Sequence, residues 1–507
     1  MSDDDSTRST GRGGLAVAGA KIYFILLGLV QQVALPRVLG LDGYGALTRV
    51  LSLSGIFYNP ITTMSIQAMS RTVVHAAPAE LDATVRRVLI WQALFGVVVA
   101  TLFISSAPLL ARLAGASHVE GPLRILGAIL FVYAVYTPLI GVANGQKRFF
   151  MQAGFDVTSA TLRTLGLVMG AFVSRRLGQS GAAGAAIGFV ISATVVLLIA
   201  ASAIGVGRSG VTRLSFASYA WLATPLLFGQ ALLNLLFQAD SILLGRFTSE
   251  AALATGAPLA RADALVGAYR LTQLFSFLPY QILIAITFIL FPMLAAAAKA
   301  GDSDAIARYV RTGLRLSLLI AGAMVSVTSG LAPRLLLLGF GEQAATLGGR
   351  ALTLLSLGFG AFAIFGILTT VLNSLGRERE SLWVTAFAVV IVAVLCFTRA
   401  RGGALSEQLL WLTAQATCAG LLTATLIAAF LVHRAAGALV SPWSLLRTTL
   451  ALGASALLGR WLFPPGKLMT VVAAAATPCF YLALLVLMRE LGRADLDMLR
   501  KIVKRRA

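Results

Sequence analysis

Apolar runs of about 20 residues follow one another along almost the whole chain, separated by short polar segments. In a bilayer such a run forms a helix, because a helix satisfies all of its backbone hydrogen bonds internally. We count about fourteen runs, which leave only short loops and two tails among the 507 residues. These loops are shorter than a catalytic or nucleotide-binding domain. The sequence therefore predicts an all-α polytopic membrane protein.

The charge balance bears on the partners of the protein and on its orientation. There are 41 Lys and Arg residues against 20 Asp and Glu, a formal net charge of +21. The basic residues are dispersed through short loops, which indicates charge that orients helices and meets anionic lipid. We therefore expect membrane lipids, and no nucleic acid, among its partners. The basic tail after residue 488 and the even number of predicted helices indicate that both termini are cytoplasmic. We expect the chain to lie in the cell (cytoplasmic or inner) membrane.

Two stretches of the sequence repeat in the same order. Gly45-Ala46 matches Gly267-Ala268, and the segment around Asn144 matches the segment around Asn373. Such repeats are typical of transporters built from two related bundles, although chance similarity among apolar helices is the alternative. We predict a cytoplasmic tail (1–13), two pseudo-symmetric six-helix bundles (14–207 and 208–433), two additional transmembrane helices (434–488) and a basic cytoplasmic tail (489–507).

Several short motifs occur in an order that resembles a known superfamily. LPRVLGLDGYG follows the first run, VGAYRLTQL opens the eighth, FPML ends it, and LNSLGRERES follows the tenth. Over residues 14–433 the chain resembles the multidrug/oligosaccharidyl-lipid/polysaccharide exporter superfamily, and within it the polysaccharide-repeat-unit flippases. The two extra helices look more like those of fourteen-helix lipid II flippases. Those flippases carry an Asp-Ala-Phe pattern where this chain has Asp42-Gly43-Tyr44.

The resemblance implies a function and leaves alternatives open. It implies transport of a polyprenyl-diphosphate-linked oligosaccharide across the cytoplasmic membrane by alternating access, for cell-surface polysaccharide biosynthesis. The implied partners are the lipid-linked glycan and polysaccharide assembly proteins, and neither enzymatic activity nor a cofactor is expected. A lipid II flippase or a multidrug exporter of the same superfamily is the alternative. A membrane glycosyltransferase or polymerase is a further one, although such enzymes need acidic residues on sizeable outer loops.

Ionisable residues inside the predicted helices are the candidates for function. A charge near the bilayer centre costs about 2.5–3.5 kcal/mol on insertion scales, so it usually faces a partner or a wet cavity. Four are cations and two are anions, and this surplus would complement a diphosphate. The six residues are Lys21, Arg49, Asp156, Arg163, Asp240 and Arg270.

We assign roles to five of these residues. Lys21, Arg49 and Arg270 are the predicted substrate-binding residues. Arg49 and Arg270 follow the paired glycines of the repeat, so they could clamp a diphosphate from the two halves; snorkelling to the interface is the alternative. Asp240 and Asp156 are candidates for ion coupling, and the alternative for both is a structural ion pair.

A metal site is not expected. Asp302-Ser303-Asp304 has the spacing of a glycosyltransferase metal motif, but it lies in a short loop. We interpret Asp302 as a helix N-cap, because a carboxylate at that position accepts a hydrogen bond from the first helical turn.

Overall fold

The computed structural model of the protein describes residues 3–492. Side chains are described from residue 16 onward, apart from those of residues 18, 285, 288 and 289. The regular elements within this range are helices, and the predicted all-α fold is confirmed. Most of the predicted basic tail, 489–507, lies outside the described residues.

The helices follow one another with short connections. They are α1 (Asp3–His75), α2 (Leu81–Leu113), α3 (Glu120–Gly145), α4 (Phe149–Arg176), α5 (Gly181–Ile204), α6 (Phe216–Thr255), α7 (Leu259–Ser276), α8 (Leu278–Ala300), α9 (Ser303–Gly330), α10 (Ala332–Phe340), α11 (Glu342–Ser374), α12 (Glu378–Ala400), α13 (Glu407–Ala436), α14 (Pro442–Trp461) and α15 (Lys467–Leu487).

Helix α1 contains two predicted transmembrane runs, 14–36 and 45–70. Its path is broken at Gly40, whose backbone has φ 76° and ψ 171°. An L-residue with a side chain rarely adopts this conformation, so glycine is needed for the chain to change direction here. The two runs are therefore two helical segments joined at one residue.

Eleven described helices are long and apolar enough to cross a membrane, and the protein is a multi-pass membrane protein. The long helix α1 counts once among the eleven, although it holds two predicted runs. The predicted eighth run is divided between α7 and α8, close to Pro279. The total of fourteen transmembrane helices stays a prediction.

The chain divides into two compact units, Met1–Gly267 and Ala268–Ala507. In the first unit α1 packs against α3, α4 and α6, and α4 packs against α5. The sequence-based boundary between bundles after residue 207 differs from this division, because α6 packs on α1. The five predicted segments stay a prediction.

Glycines bring α4 and α5 into backbone contact in the first unit. A Cβ atom on Gly166 would lie 2.3 Å from the carbonyl oxygen of Gly188, and one on Gly170 would lie 2.1 Å from that of Gly184. Helices in a membrane associate through close packing, which small residues permit. These two glycine pairs therefore set the distance between α4 and α5.

In the second unit α11 is central and packs against α8, α9, α10 and α13. Helices α14 and α15 pack on α9. The carboxylate of Glu490, just after α15, accepts hydrogen bonds from Arg315 Nε at 3.0 Å and Ser444 Oγ at 2.7 Å. Arg447 Nη1 lies 3.4 Å from the same carboxylate. One buried acid thus joins the end of α15 to α9 and α14.

The loop before α9 has the capping geometry that the sequence predicts. Asp302 Oδ1 accepts a hydrogen bond from the Ala305 amide at 2.8 Å. This confirms that Asp302 is an N-cap. Among the described residues, no group of three or more His, Cys, Asp or Glu side chains could hold a metal ion.

Candidate functional site

Arg49 lies on the buried face of the second segment of α1, between Leu47 and Val50, which are also buried. Its side chain is 3% exposed, and its Nε lies 2.7 Å from Asp263 Oδ1. Its Nη1 donates to the carbonyl oxygen of Gly245 at 2.6 Å, and its Nη2 donates to Thr248 Oγ1 at 3.2 Å. A buried guanidinium is tolerated when its charge and donors are matched in this way.

Asp263 also contacts a second basic side chain. Its Oδ2 lies 2.8 Å from His118 Nε2, which belongs to the turn before α3. Asp263 therefore links α1, this turn and its own helix, α7. We name Arg49, Asp263, His118, Gly245 and Thr248 the Arg49 cluster.

The paired glycines of the sequence repeat lie against each other beside this cluster. A Cβ atom on Gly45 would lie 1.8 Å from the carbonyl oxygen of Asp263. One on Gly267 would lie 2.3 Å from that of Leu41. The absence of side chains at both positions lets α7 approach α1 closely enough for Asp263 to reach Arg49.

Lys21 and Asp156 form an ion pair between α1 and α4. Lys21 Nζ lies 2.8 Å from Asp156 Oδ2, and the two side chains are 56% and 16% exposed. Lys21 is a predicted substrate-binding residue and Asp156 a predicted ion-coupling residue, so the pair joins two residues to which we assign different roles. Unlike Arg49, Lys21 has more than half of its side chain uncovered by the protein.

Arg163 lies seven residues after Asp156 on α4 and has a different environment. Its guanidinium carbon lies 4.8 Å from the ring centre of Phe189 on α5. Phe189 in turn packs edge-on against Tyr133 and Tyr58, with ring centres 6.0 and 6.1 Å away. Within residues 16–492, Arg163 has no ion pair with a carboxylate. A cation over an aromatic face is attracted by the ring quadrupole, but its charge is not neutralised.

Arg270 and Asp240 complete the set of predicted residues. Arg270 lies in the second unit, and its Nη1 donates to Gln273 Oε1 at 3.1 Å. The described part of the chain contains no carboxylate partner for Arg270. Asp240 lies on α6, is 1% exposed, and its Oδ1 accepts from the Ser241 amide at 2.7 Å. Pairing of Arg49 with Arg270 around a diphosphate stays a prediction.

The structure shows which of the predicted intramembrane cations contact a carboxylate. Arg49 and Lys21 each contact a carboxylate, whereas Arg163 and Arg270 do not, as far as the described side chains show. Asp263 and His118 were not among the predicted site residues. Asp263 lies far from Arg49 in the sequence, and the approach of α7 to α1 brings the two side chains together.

A family model described as "Polysaccharide biosynthesis protein" matches residues 10–298, more than half of the chain. A second model, MatE, matches residues 225–398. A search of curated proteins finds no match.

Solved structures with the same fold are those of transport proteins. A lipid II flippase in an inward closed conformation matches with a TM-score of 0.77 and 13% identity, over 94% of this chain and 99% of that chain. A multidrug resistance MATE family transporter in an inward-facing conformation matches with a TM-score of 0.65 and 16% identity, over 85% and 96%. A Vibrio cholerae MATE transporter matches with a TM-score of 0.57 and 16% identity, over 84% and 96%.

Two family models match overlapping parts of the chain, and the solved structures have the same all-helical fold. The resemblance first seen in short motifs is thereby confirmed. The chain belongs to the polysaccharide biosynthesis protein family, within the multidrug/oligosaccharidyl-lipid/polysaccharide exporter superfamily.

Proposed function

We propose that this protein is a flippase that moves a polyprenyl-diphosphate-linked oligosaccharide across the cytoplasmic membrane for cell-surface polysaccharide biosynthesis. The observation that carries the proposal is the family match over residues 10–298. The lipid-linked glycan is the substrate, polysaccharide assembly proteins are its partners, and transport proceeds by alternating access without a catalytic step. Both termini are cytoplasmic in this proposal.

The intramembrane charges support an anionic substrate. Arg163 and Arg270 lack a carboxylate partner in the described part of the chain, and Lys21 is more than half exposed. A guanidinium binds phosphate oxygens in a bidentate manner, and an ammonium adds a point charge. An exporter of organic cations would instead need carboxylates without basic partners. We therefore propose Lys21 and Arg270 as substrate-binding residues, and add Arg163.

Arg49 and the two acids have more specific proposed roles. The Arg49 cluster pairs the Arg49 charge with Asp263 and accepts hydrogen bonds from its two terminal nitrogens, so a direct contact with substrate would require the cluster to open. Asp156 can exchange Lys21 for a coupling ion, because an acid 16% exposed is within reach of small ions. Asp240 is a second candidate for ion coupling because it is a carboxylate on an apolar helix.

Lipid II is the second candidate substrate. The solved flippase structure matches 94% of this chain. The unmatched part has fewer residues than α14 and α15 have together. The two extra helices are thus at least partly included in that similarity. At 13% identity, this similarity concerns the fold.

The experiment is mass spectrometry of polyprenyl-linked lipids in a deletion strain, with leaflet orientation measured by a membrane-impermeant reagent. We expect a complete diphosphate-linked oligosaccharide to accumulate on the inner face and to disappear when the wild-type gene is restored. Accumulation of lipid II would select the second candidate. Unchanged lipid intermediates would contradict both.

Arg270→Gln tests the binding residues in the same assay. Among the described side chains, Arg270 bonds only to Gln273, within one helical turn, so the variant should unfold at the wild-type temperature. We expect transport to fall at least tenfold, because about 1.4 kcal/mol of charge-assisted binding corresponds to that factor. Arg350→Gln is the matched control, since this exposed arginine contacts Glu407 only at 3.7 Å. Full transport by Arg270→Gln would contradict the proposed role.

A further inference from the structure

An open cavity of about 690 Å³, lined by both polar and apolar side chains, lies in the first unit, where α1 ends and α2 and α6 begin. Its walls are the last turn of α1, the turn before α2, and the segment 212–222. The residues that we assign to substrate binding and ion coupling do not line this cavity. The proposed transport function therefore does not account for it.

The wall formed by the connection between α5 and α6 is fixed on α2. Thr212 Oγ1 is 2.7 Å from Thr84 Oγ1, and Arg87 Nη1 donates to the carbonyl oxygens of Thr212 and Leu214 at 3.1 and 3.2 Å. Gly207, with φ 73°, lies so close that a Cβ atom would be 2.3 Å from the carbonyl oxygen of Asp82. These contacts hold the cavity open without a ligand, as in a preformed binding site.

Three basic side chains, Arg71, His75 and Arg213, line the cavity together with one acidic side chain, Glu80. Within the described range, the Arg71 side chain has neither a hydrogen bond nor an ion pair. His75 Nδ1 donates to the carbonyl oxygen of Arg71 at 2.8 Å, which leaves the other ring nitrogen for a ligand. Arg213 is 94% exposed, with its Nε 3.5 Å from the Glu80 carboxylate. Glu80 also accepts from the Arg213 amide at 3.0 Å, so its charge is already engaged.

The surroundings of the cavity are apolar and uncovered by the protein. Phe216 and Trp221 of α6 are 61% and 86% exposed, and Val211 is 86% exposed. Leu222, on the same helix, lines the cavity itself. Exposed aromatic side chains at the end of a membrane-crossing helix are typical of the headgroup region of a bilayer. A ligand here can place a polar group in the cavity and apolar chains over these residues.

We propose that this cavity binds the phosphodiester head group of an anionic membrane lipid. Arg71 and Arg213 donate to the phosphate oxygens, while His75 Nε2 and the Thr72 and Ser218 hydroxyl oxygens accept from head-group hydroxyls. The acyl chains lie along Phe216 and Trp221. A free phosphate ester offers the same phosphate oxygens, but it has no acyl chains and gains no binding energy from the exposed apolar side chains Phe216 and Trp221. The assignment concerns a lipid that stays bound, and it goes beyond the proposed transport function.

The test uses the full chain in nanodiscs of phosphatidylcholine with a small fraction of photoactivatable phosphatidylglycerol. Crosslinks are mapped by peptide mass spectrometry. We expect labelled peptides from residues 71–84 and 212–222, and no labelling there by a photoactivatable phosphatidylcholine. Millimolar inorganic phosphate should leave the labelling unchanged. Loss of labelling on adding phosphate would assign the cavity to a soluble phosphate instead of a lipid and would overturn the proposal.

Arg71→Gln is the variant of choice, because in the described part of the chain the Arg71 side chain has no hydrogen bond or ion pair to lose. Removal of one cation should reduce the labelling about fivefold, which is the factor that corresponds to about 1 kcal/mol per basic residue at a lipid surface. Arg434→Gln, at the exposed end of α13, is the control and should keep wild-type labelling. Equal labelling of the Arg71 variant and the wild type would overturn the proposal, as would equal labelling by the two lipids.

Discussion

At the scale of single residues, the partners of an intramembrane charge decide what it can do. Arg49 has its charge and two of its nitrogen donors matched by Asp263, Gly245 and Thr248. Lys21 has one partner and remains more than half exposed. Two residues with the same predicted role in substrate binding thus differ in burial and in the number of their partners.

Arg49→Met should destabilise the protein, because it leaves the Asp263 carboxylate buried with only His118 beside it. Removal of one partner of a buried pair costs about 3–5 kcal/mol, so we expect a clear fall in the thermal unfolding temperature in detergent. Arg49→Met/Asp263→Leu should recover much of the loss, because no unpaired charge remains. Wild-type stability of Arg49→Met together with lost transport would instead place Arg49 in the substrate site.

At the scale of helices, small residues and one buried acid determine the packing. Gly166 and Gly188 set the distance between α4 and α5, and Glu490 joins α15 to α9 and α14. The glycine spacing on each helix is visible in the sequence. The role of Glu490 is not, because its basic partners lie on two other helices.

Gly166→Ala should weaken the contact between α4 and α5. The new methyl group would lie 2.0 Å from Ser192 Oγ and 2.3 Å from the Gly188 carbonyl oxygen, so the helices must separate. Such overpacking costs about 1–3 kcal/mol, and we expect a lower thermal unfolding temperature. Gly154→Ala on the same helix is the control, since nothing lies within 4 Å of its Cβ position. Equal effects of the two substitutions would argue against this packing.

Glu490→Gln should loosen the last two helices. It removes the charge that Arg315 and Arg447 share, and the carboxylate is 3% exposed in its pair with each of them. We expect faster proteolysis between α13 and α15, and a loss of about 1.5–3 kcal/mol, which is typical of a hydrogen bond to a charged group. Glu380→Gln serves for comparison, because its pair with Arg377 is exposed and within one helix. Unchanged proteolysis of the Glu490 variant would show that apolar packing alone holds α15.

At the scale of the whole molecule, the predicted orientation can be measured directly. The segment between α4 and α5 is expected outside and the end of α13 inside. In a background without Cys396, Cys418 and Cys479, Gln179→Cys should react with a membrane-impermeant maleimide in intact cells. Arg434→Cys should react only after permeabilisation. The opposite pattern would reverse the proposed orientation of both termini.

The sequence by itself determined the fold class and the family. Length and apolarity of a run are local properties, and a bilayer admits such a run only as a helix. The order of the motifs identified the superfamily. Charged residues within apolar runs, such as Lys21 and Arg163, were the candidates for function. The break inside α1 was also expected from the sequence, between the runs 14–36 and 45–70, and it lies at Gly40.

Only the tertiary structure decided which charges are matched. Asp263 reaches Arg49 because Gly45 and Gly267 allow two helices distant in sequence to touch. The cavity beside Arg71 likewise depends on where the segment after α5 lies on α2. The cost of a buried charge depends on the atoms around it, and those atoms come from helices far apart in the chain. Helix formation depends on neighbours in sequence, whereas charge matching depends on neighbours in space.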